Sequence, residues 1–238
     1  MRTSLPMKAK VVTIDGPAGA GKSTVSKALA HKLGYLYLDT GALYRALALK
    51  ALSTKIDLND ESDLTELCDS TDVRLNLIDG KLIVELDGVS VESRIRTEQV
   101  GKAASTISTF EVVRKKLFDL QRSAASRSSG IVAEGRDMAT VVFPDADYKF
   151  YLDADLEERT RRRYLELSQA QANSGMDEVF KEMKARDAQD SGRKIAPLQK
   201  ASDAQVIDSS RLTVPEVVDE ILRRMNAEGL RTDENYRK

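Results

Sequence analysis

The chain has no tryptophan, one cysteine, one histidine and only 5% aromatic residues among its 238. A lone Cys68 excludes any disulfide framework or cysteine-built zinc site within one chain. A single histidine, His31, has no ligand partner in the sequence, so it is read as an ordinary helix residue. Few aromatics leave no stacking platform for single-stranded nucleic acid. An excess charge of one sign is also missing: 37 Lys and Arg against 38 Asp and Glu give a net charge of -1. That excludes a generic basic nucleic-acid binder and requires any anion site to come from local clustering. No run approaches the ~18 uncharged apolar residues of a membrane span. Met1 to Lys10 carries Arg2 and two lysines but no apolar segment of a secretion signal. A cytoplasmic protein that binds neither membrane nor nucleic acid is expected.

What is present is enough apolar material, 41%, for a sizeable core. Val11, Val12 and Ile14 form a short apolar run that meets a glycine-rich segment. From Ser23 to Leu33 the spacing of Val25, Leu29 and Leu33 is helical, and Gly34 ends it. Tyr35 to Leu38 reads as a second strand, so the opening is a β-loop-α-β unit of a parallel sheet. Residues 71–92 alternate at period two around Asp79-Gly80 and Asp87-Gly88, which predicts a small antiparallel meander. One helical stretch is expected from about Thr97 to Ser126. Ile131 to Ala133 and Tyr148 to Leu152 resume the parallel sheet. Glu157 to Gln171 and Met176 to Asp190 read as charged helices split at Asn173-Ser174-Gly175. Ala204 to Ile207 is a last strand, Pro215 to Met225 an amphipathic helix, and a polar frayed tail follows Gly229. Cys68 falls in a helical pattern with Leu64 and Leu67, which predicts packing.

Gly16-Pro17-Ala18-Gly19-Ala20-Gly21-Lys22-Ser23 satisfies G-x-x-x-x-G-K-[ST] between a strand and a helix. Such a loop lets backbone N–H groups converge on phosphate oxygens, and the following helix adds its positive end. Gly16 to Thr24 are therefore the expected nucleotide-binding residues. Lys22 reaches the β- and γ-phosphates, and the Ser23 hydroxyl ligates Mg²⁺. No Asn-Lys-x-Asp guanine-reading motif follows, which argues against a GTPase. Ile131-Val132-Ala133 runs into Glu134-Gly135-Arg136-Asp137 rather than the strand-ending aspartate of a motor ATPase.

Asp39-Thr40-Gly41-Ala42-Leu43-Tyr44-Arg45 ends the second strand, where ligands of open α/β sheets lie. Taken alone it is an N-cap signal with a surface arginine; beside a phosphate loop, Arg45 can fork onto an acceptor phosphate. Gly135-Arg136-Asp137 faces the same crevice. Arg159, Arg162 and Arg163 share one side of their helix while Arg161 points away. Arg186, Asp190 and Arg193 fall on one face of the next. Either cluster could be a solvated face, but phosphoryl transfer needs such arginines to neutralise moving charge.

With these segments the chain resembles the bacterial cytidylate kinases, a branch of the nucleoside monophosphate kinases, from about Val11 to Met225. The resemblance rests on Ile14-Asp15-Gly16-Pro17, Leu38 to Arg45, Ile95-Arg96-Thr97, and Gly135-Arg136-Asp137-Met138 with Val141-Val142-Phe143-Pro144. Arg186-Asp187 with Ala196-Pro197-Leu198 completes it. It implies an α/β fold: a P-loop core with a five-stranded parallel sheet and helices on both faces (residues 10–40, 131–156 and 201–226). To this it adds an inserted monophosphate-binding domain (41–130) that holds the small antiparallel sheet, and a helical lid (157–200). It also implies a monomer that converts ATP and CMP or dCMP to ADP and CDP or dCDP with Mg²⁺. By position, Arg45, Arg136 and Arg193 would hold the acceptor phosphate, and Ser105, Arg114 and Asp137 would read cytosine. Arg186 and Asp190 would contact the pentose, Thr40 would join the acceptor site, and Lys22, Arg159, Arg162 and Arg163 would act on the transferring phosphoryl. Arg96 belongs to the acceptor segment without a defined role. Asp15, Asp39, Glu134 and Asp137 are the acids available to order water around Mg²⁺. Departures from the family pattern are small: Ser23 for Gly or Thr, Thr40 for Ser, and Glu134 for Asp. A kinase for another small acceptor, or a nucleotide-binding module without turnover, remain the alternatives to this activity.

Overall fold

In the computed structural model, residues 9–169 and 175–235 are described. The expected break at Asn173-Ser174 and the expected helix end at Gln171 lie outside these residues. So do residues 1–8 and the last three of the tail. Strands and helices run in the order β1 (Lys10–Asp15), α1 (Lys22–Leu33), β2 (Leu36–Asp39), α2 (Thr40–Thr54) and α3 (Glu61–Ser70). Next come β3 (Val73–Ile78), β4 (Lys81–Leu86), β5 (Val89–Ser90), α4 (Glu98–Ile107) and α5 (Glu111–Ala124). The chain then returns through β6 (Gly130–Gly135) and β7 (Tyr148–Asp153), continues with α6 (Leu156–Gln169) and α7 (Met176–Gly192), and closes with β8 (Gln205–Asp208) and α8 (Val214–Asn235).

Five strands form one parallel sheet in the order β2-β6-β1-β7-β8. Alternation along its strands divides the apolar side chains between two layers. Val11, Leu38, Ile131 and Ala133 pack with residues of α2, α4 and α5 on one face. Val12, Ile14, Val132 and Phe150 pack with α1 and α8 on the other. Helices thus cover both faces, and β1 lies at the centre with its carboxyl end feeding the glycine-rich loop.

The second sheet, β3-β4-β5, is the expected antiparallel meander. Both Asp-Gly pairs turn with positive φ at each residue, the backbone twist that two-residue hairpins favour. Cys68 is buried with Leu64 and Leu67, as its pattern predicts.

Two expected elements differ. The long helix over 97–126 is two helices, because Ser108 and Thr109 turn their hydroxyls back onto the carbonyls of Ser105 and Thr106. Such local bonds compete with helix propagation. The last helix continues through Gly229 to Asn235 where a frayed tail was expected; one glycine costs a helix only about 1 kcal/mol. The segment Met138–Val142, unassigned from sequence, is a single π-turn.

Gly16 fixes the start of the loop. Its φ is +149°, and a Cβ there would stand 2.0 Å from the Leu152 carbonyl oxygen of β7. Gly34, which ends α1 at φ +67°, has open space around it. Gly34→Ala should therefore cost about 1 kcal/mol, and Gly16→Ala about 3 kcal/mol, since strand β7 must also move. Urea denaturation of both variants checks the ranking.

Candidate active site

The glycine-rich loop wraps the N-terminus of α1. Gly21 caps that helix with no side-chain hydrogen bond, leaving its first N–H groups for a ligand. The loop's carbonyls are held from elsewhere. Lys22 Nζ donates to Pro17 O at 2.6 Å, Arg159 to Ala18 O at 3.1 Å, and the Ser209 hydroxyl to Ala20 O at 3.1 Å. Burial and the nearby Arg136 push the Lys22 ammonium well below its ordinary range.

A cleft of about 1020 Å³ opens beside this loop. It is lined by Ala18 to Thr24, Thr40, Arg45, Ser105, Arg114, Arg136 and Asp137, and by Arg162, Arg163, Arg186, Asp190 and Arg193. Gly16, Pro17 and Arg159 do not line it. Arg159, expected among the arginines that close on the phosphoryl, is buried. It donates to Ala154 O at 2.9 Å and pairs with Asp187 at 2.7 Å. It braces the loop against α7 instead of entering the cleft. Arg162 is held by Glu158 at 2.8 Å and by the Ser209 carbonyl at 2.6 Å, and Arg163 donates to Glu166 at 3.1 Å.

Another side of the cleft is built on α2. Asp39 caps that helix, taking the Ala42 N–H at 3.0 Å, and its other oxygen takes Arg96 at 2.8 Å. This is the capping role the sequence suggested, with Arg96 joined to it. One turn on, Arg45 lies across α4, donating to Ile95 O at 3.1 Å. Gly101 permits the approach, since a Cβ there would sit 3.0 Å from the guanidinium. Arg114 donates to an Asp137 oxygen and to Ser108 O at 3.2 Å, and its guanidinium stands 5.7 Å from the Tyr44 ring. The Ser105 hydroxyl beside them is buried with no partner. Tyr44 and Gln189, which donates from α7 to Ser105 O at 3.1 Å, also line the cleft, beyond the residues expected from sequence. Tyr44 stood inside the Asp39–Arg45 motif; Gln189 had no sequence signal.

Cations crowd this cleft. Burial lowers the pKa of Arg45, Arg186 and Arg193, and for Arg186 burial together with repulsion from neighbouring Arg136 takes it to about 10. Arg186 Nε is buried without a hydrogen-bond acceptor. Burial pushes Asp190 up, but Arg136, bonded to it at 2.8 Å, and Arg186 outweigh that and hold it low. Asp137 and Glu134 are raised, chiefly by burial.

The four acids proposed to order metal-bound water are thereby separated. Asp15 has both oxygens on backbone amides, and Asp137 is taken by Arg114. Asp39 is divided between the α2 cap and Arg96. Glu134 accepts from the Tyr37 hydroxyl and sits against the Ser23 hydroxyl. Arg186→Met should raise the stability of the ligand-free protein by about 1 kcal/mol, because it removes a buried charge from a crowded set. The same variant should weaken acceptor binding; urea denaturation and calorimetry measure the two effects.

The sequence matches the cytidylate kinase family over residues 12–227. A cytidylate kinase of Serratia proteamaculans is 48% identical over 90% of this chain and 93% of its own. Cytidylate kinase 1 of Haemophilus influenzae is 44% identical over 92% and 95%. Among solved structures, an uncharacterized protein from Eubacterium ventriosum shares the fold, with a TM-score of 0.51 at 12% identity over 91% of this chain and 98% of that one. On the family match and these relatives, the chain belongs to the cytidylate kinase family.

Proposed function

We propose that the protein transfers the terminal phosphoryl group of ATP to CMP or dCMP, giving ADP with CDP or dCDP. One observation carries this: the Arg114–Asp137 pair and the unpartnered Ser105 hydroxyl share a cleft with the Lys22 loop. Cytosine offers an amine donor beside a ring-nitrogen and a carbonyl acceptor. An acceptor such as Asp137 next to donors such as Arg114 and Ser105 matches that pattern. Uracil reverses it at two positions, and each buried polar group left unpaired costs about 1–3 kcal/mol.

The loop amides and Lys22 take the β- and γ-phosphates of ATP, with Lys22 exchanging Pro17 O for phosphate. The residues present fit Mg²⁺: the Ser23 hydroxyl and the Glu134 carboxylate are hard oxygen donors side by side. No group of three or more His, Cys, Asp or Glu that could cage a metal exists among the described residues. That suits an ion held mainly by nucleotide phosphates and water. When bound, Mg²⁺ supplies charge neutralisation on the phosphates. Arg45, Arg136 and Arg193 orient the acceptor phosphate, while Thr40, Arg186 and Asp190 fix the acceptor beside it. An acceptor phosphate oxygen then forms its bond to the γ-phosphorus as the bond to the β-bridging oxygen breaks and ADP leaves with that electron pair. The nucleophile is already anionic, so no strong general base is needed; positioning and electrostatics do the catalysis.

The division of labour follows the chain. Residues 10–40, 131–156 and 201–226 form the core, 41–130 the acceptor-binding part, and 157–200 the lid over the donor. The protein acts as a cytoplasmic monomer on small molecules; no helix among the described residues is long and apolar enough to cross a membrane.

ADP formation from Mg-ATP with CMP, dCMP, UMP, AMP, GMP and shikimate at equal concentration tests the proposal. Turnover should be confined mainly to CMP and dCMP, and Asp137→Asn should lower kcat/KM for CMP by about 100-fold. Fast turnover with another acceptor would overturn the base-reading assignment, and ATP binding without any turnover would overturn the activity.

A further inference from the structure

Asp15 ends β1 and immediately precedes the phosphate loop, yet its side chain is buried and does not line the cleft. Its two oxygens accept the N–H groups of Met138 at 2.9 Å and Ala139 at 2.8 Å. Those amides open the π-turn, and the first N–H groups of a helical turn have no partner within it. The rest of the turn closes on itself: Val141 N–H donates to Asp137 O at 2.9 Å and Phe143 N–H to Met138 O at 2.7 Å. Directly ahead of the two clamped amides stand Arg136 and Asp137. One carboxylate therefore joins the loop that holds the donor to the segment that reads the acceptor.

We infer that Asp15 is a positioning residue for acceptor selection: it fixes Arg136 and Asp137 in register with the phosphate loop. The inference rests on the base-reading role of Asp137 proposed above. Its physical basis is directional. A carboxylate presents two acceptors to two N–H donors, so the turn has one seating. Asparagine keeps the shape but replaces one acceptor with an amine that faces an N–H, so the turn must shift to relieve that contact. An ångström of displacement at Asp137 is enough to carry its carboxylate out of hydrogen-bond reach of the base. Lys22 donates to Pro17 O and not to Asp15, and its charge is the weakest of the influences on that carboxylate, so donor binding should change little.

The test compares wild type, Asp15→Asn and Val12→Ala as full-length purified proteins. Val12 is fully buried on the same strand, facing α1 and α8, so its variant reports on lost stability alone. For each protein, kcat and KM are measured with CMP and UMP, ATP affinity by calorimetry, and stability by urea denaturation. Asp15→Asn should lower the CMP-over-UMP preference about tenfold, mainly through a raised KM for CMP, the scale of one lost polar contact. Its ATP affinity should stay within about twofold of wild type, and Val12→Ala should keep the wild-type preference. Should Asp15→Asn fail to fold, Asp15→Ser, which keeps one acceptor without a buried charge, carries the same comparison. An unchanged preference in a folded Asp15 variant overturns the inference, as does an equal loss in Val12→Ala. Failure of both Asp15 variants to fold assigns the residue to folding alone. A wild type with no preference for CMP overturns the base-reading proposal itself, a result visible before any variant is made.

Discussion

The site depends on an electrostatic imbalance: cations buried together around one cleft with too few carboxylates to match them. Lys22, Arg45, Arg186 and Arg193 are all driven below their ordinary pKa by burial. Asp190 is the carboxylate that most directly answers them, through Arg136. Burying like charges together costs free energy that an entering anion offsets. That is the form preorganisation takes in phosphoryl transfer, where little covalent work is left to the protein.

The fold supplies the rigidity this imbalance demands. The central position of β1 places the glycine-rich loop between β6 and β7, and the close approach of Gly16 to Leu152 O sets its first residue. The carboxyl end of β2 caps the helix that carries Arg45, and the carboxyl end of β6 presents Arg136 and Asp137. Three strand ends thus bring the Lys22 loop, Arg45, Arg136 and Asp137 to one cleft. Helices α6 and α7 pack on each other through Leu167, Val179 and Met183, with Ala18 of the loop against them. Ion pairing of Lys102 with Glu182 at 2.6 Å joins α4 to α7 across the cleft.

Much of this was legible because the informative residues obey local rules. The glycine-rich loop has a fixed spacing between a strand and a helix. The meander declares itself through alternation and two Asp-Gly turns, and Asp39 announces a helix start. The gaps have equally physical causes. The α4–α5 break depends on hydroxyl back-bonds at Ser108 and Thr109, which look the same in sequence as helix-surface residues. The placement of Arg159 away from the cleft depends on Asp187, a partner 28 positions along the chain. Helical spacing placed Arg159 on the same side as Arg163 but could not say which guanidinium would be buried. The double hydrogen bond of Asp15 depends on a π-turn more than 120 residues away, and no periodicity signals a single π-turn.

On this reading the acceptor's phosphate completes the set of buried cations. The most direct measurement is the calorimetric affinity of the protein for CMP against cytidine, which differ only in that group. With charge-assisted contacts at about 1.5–3 kcal/mol each from Arg45, Arg136 and Arg193, CMP should bind at least about a thousandfold more tightly. Comparable affinities for the two would mean that the arginines serve the fold and not the phosphate.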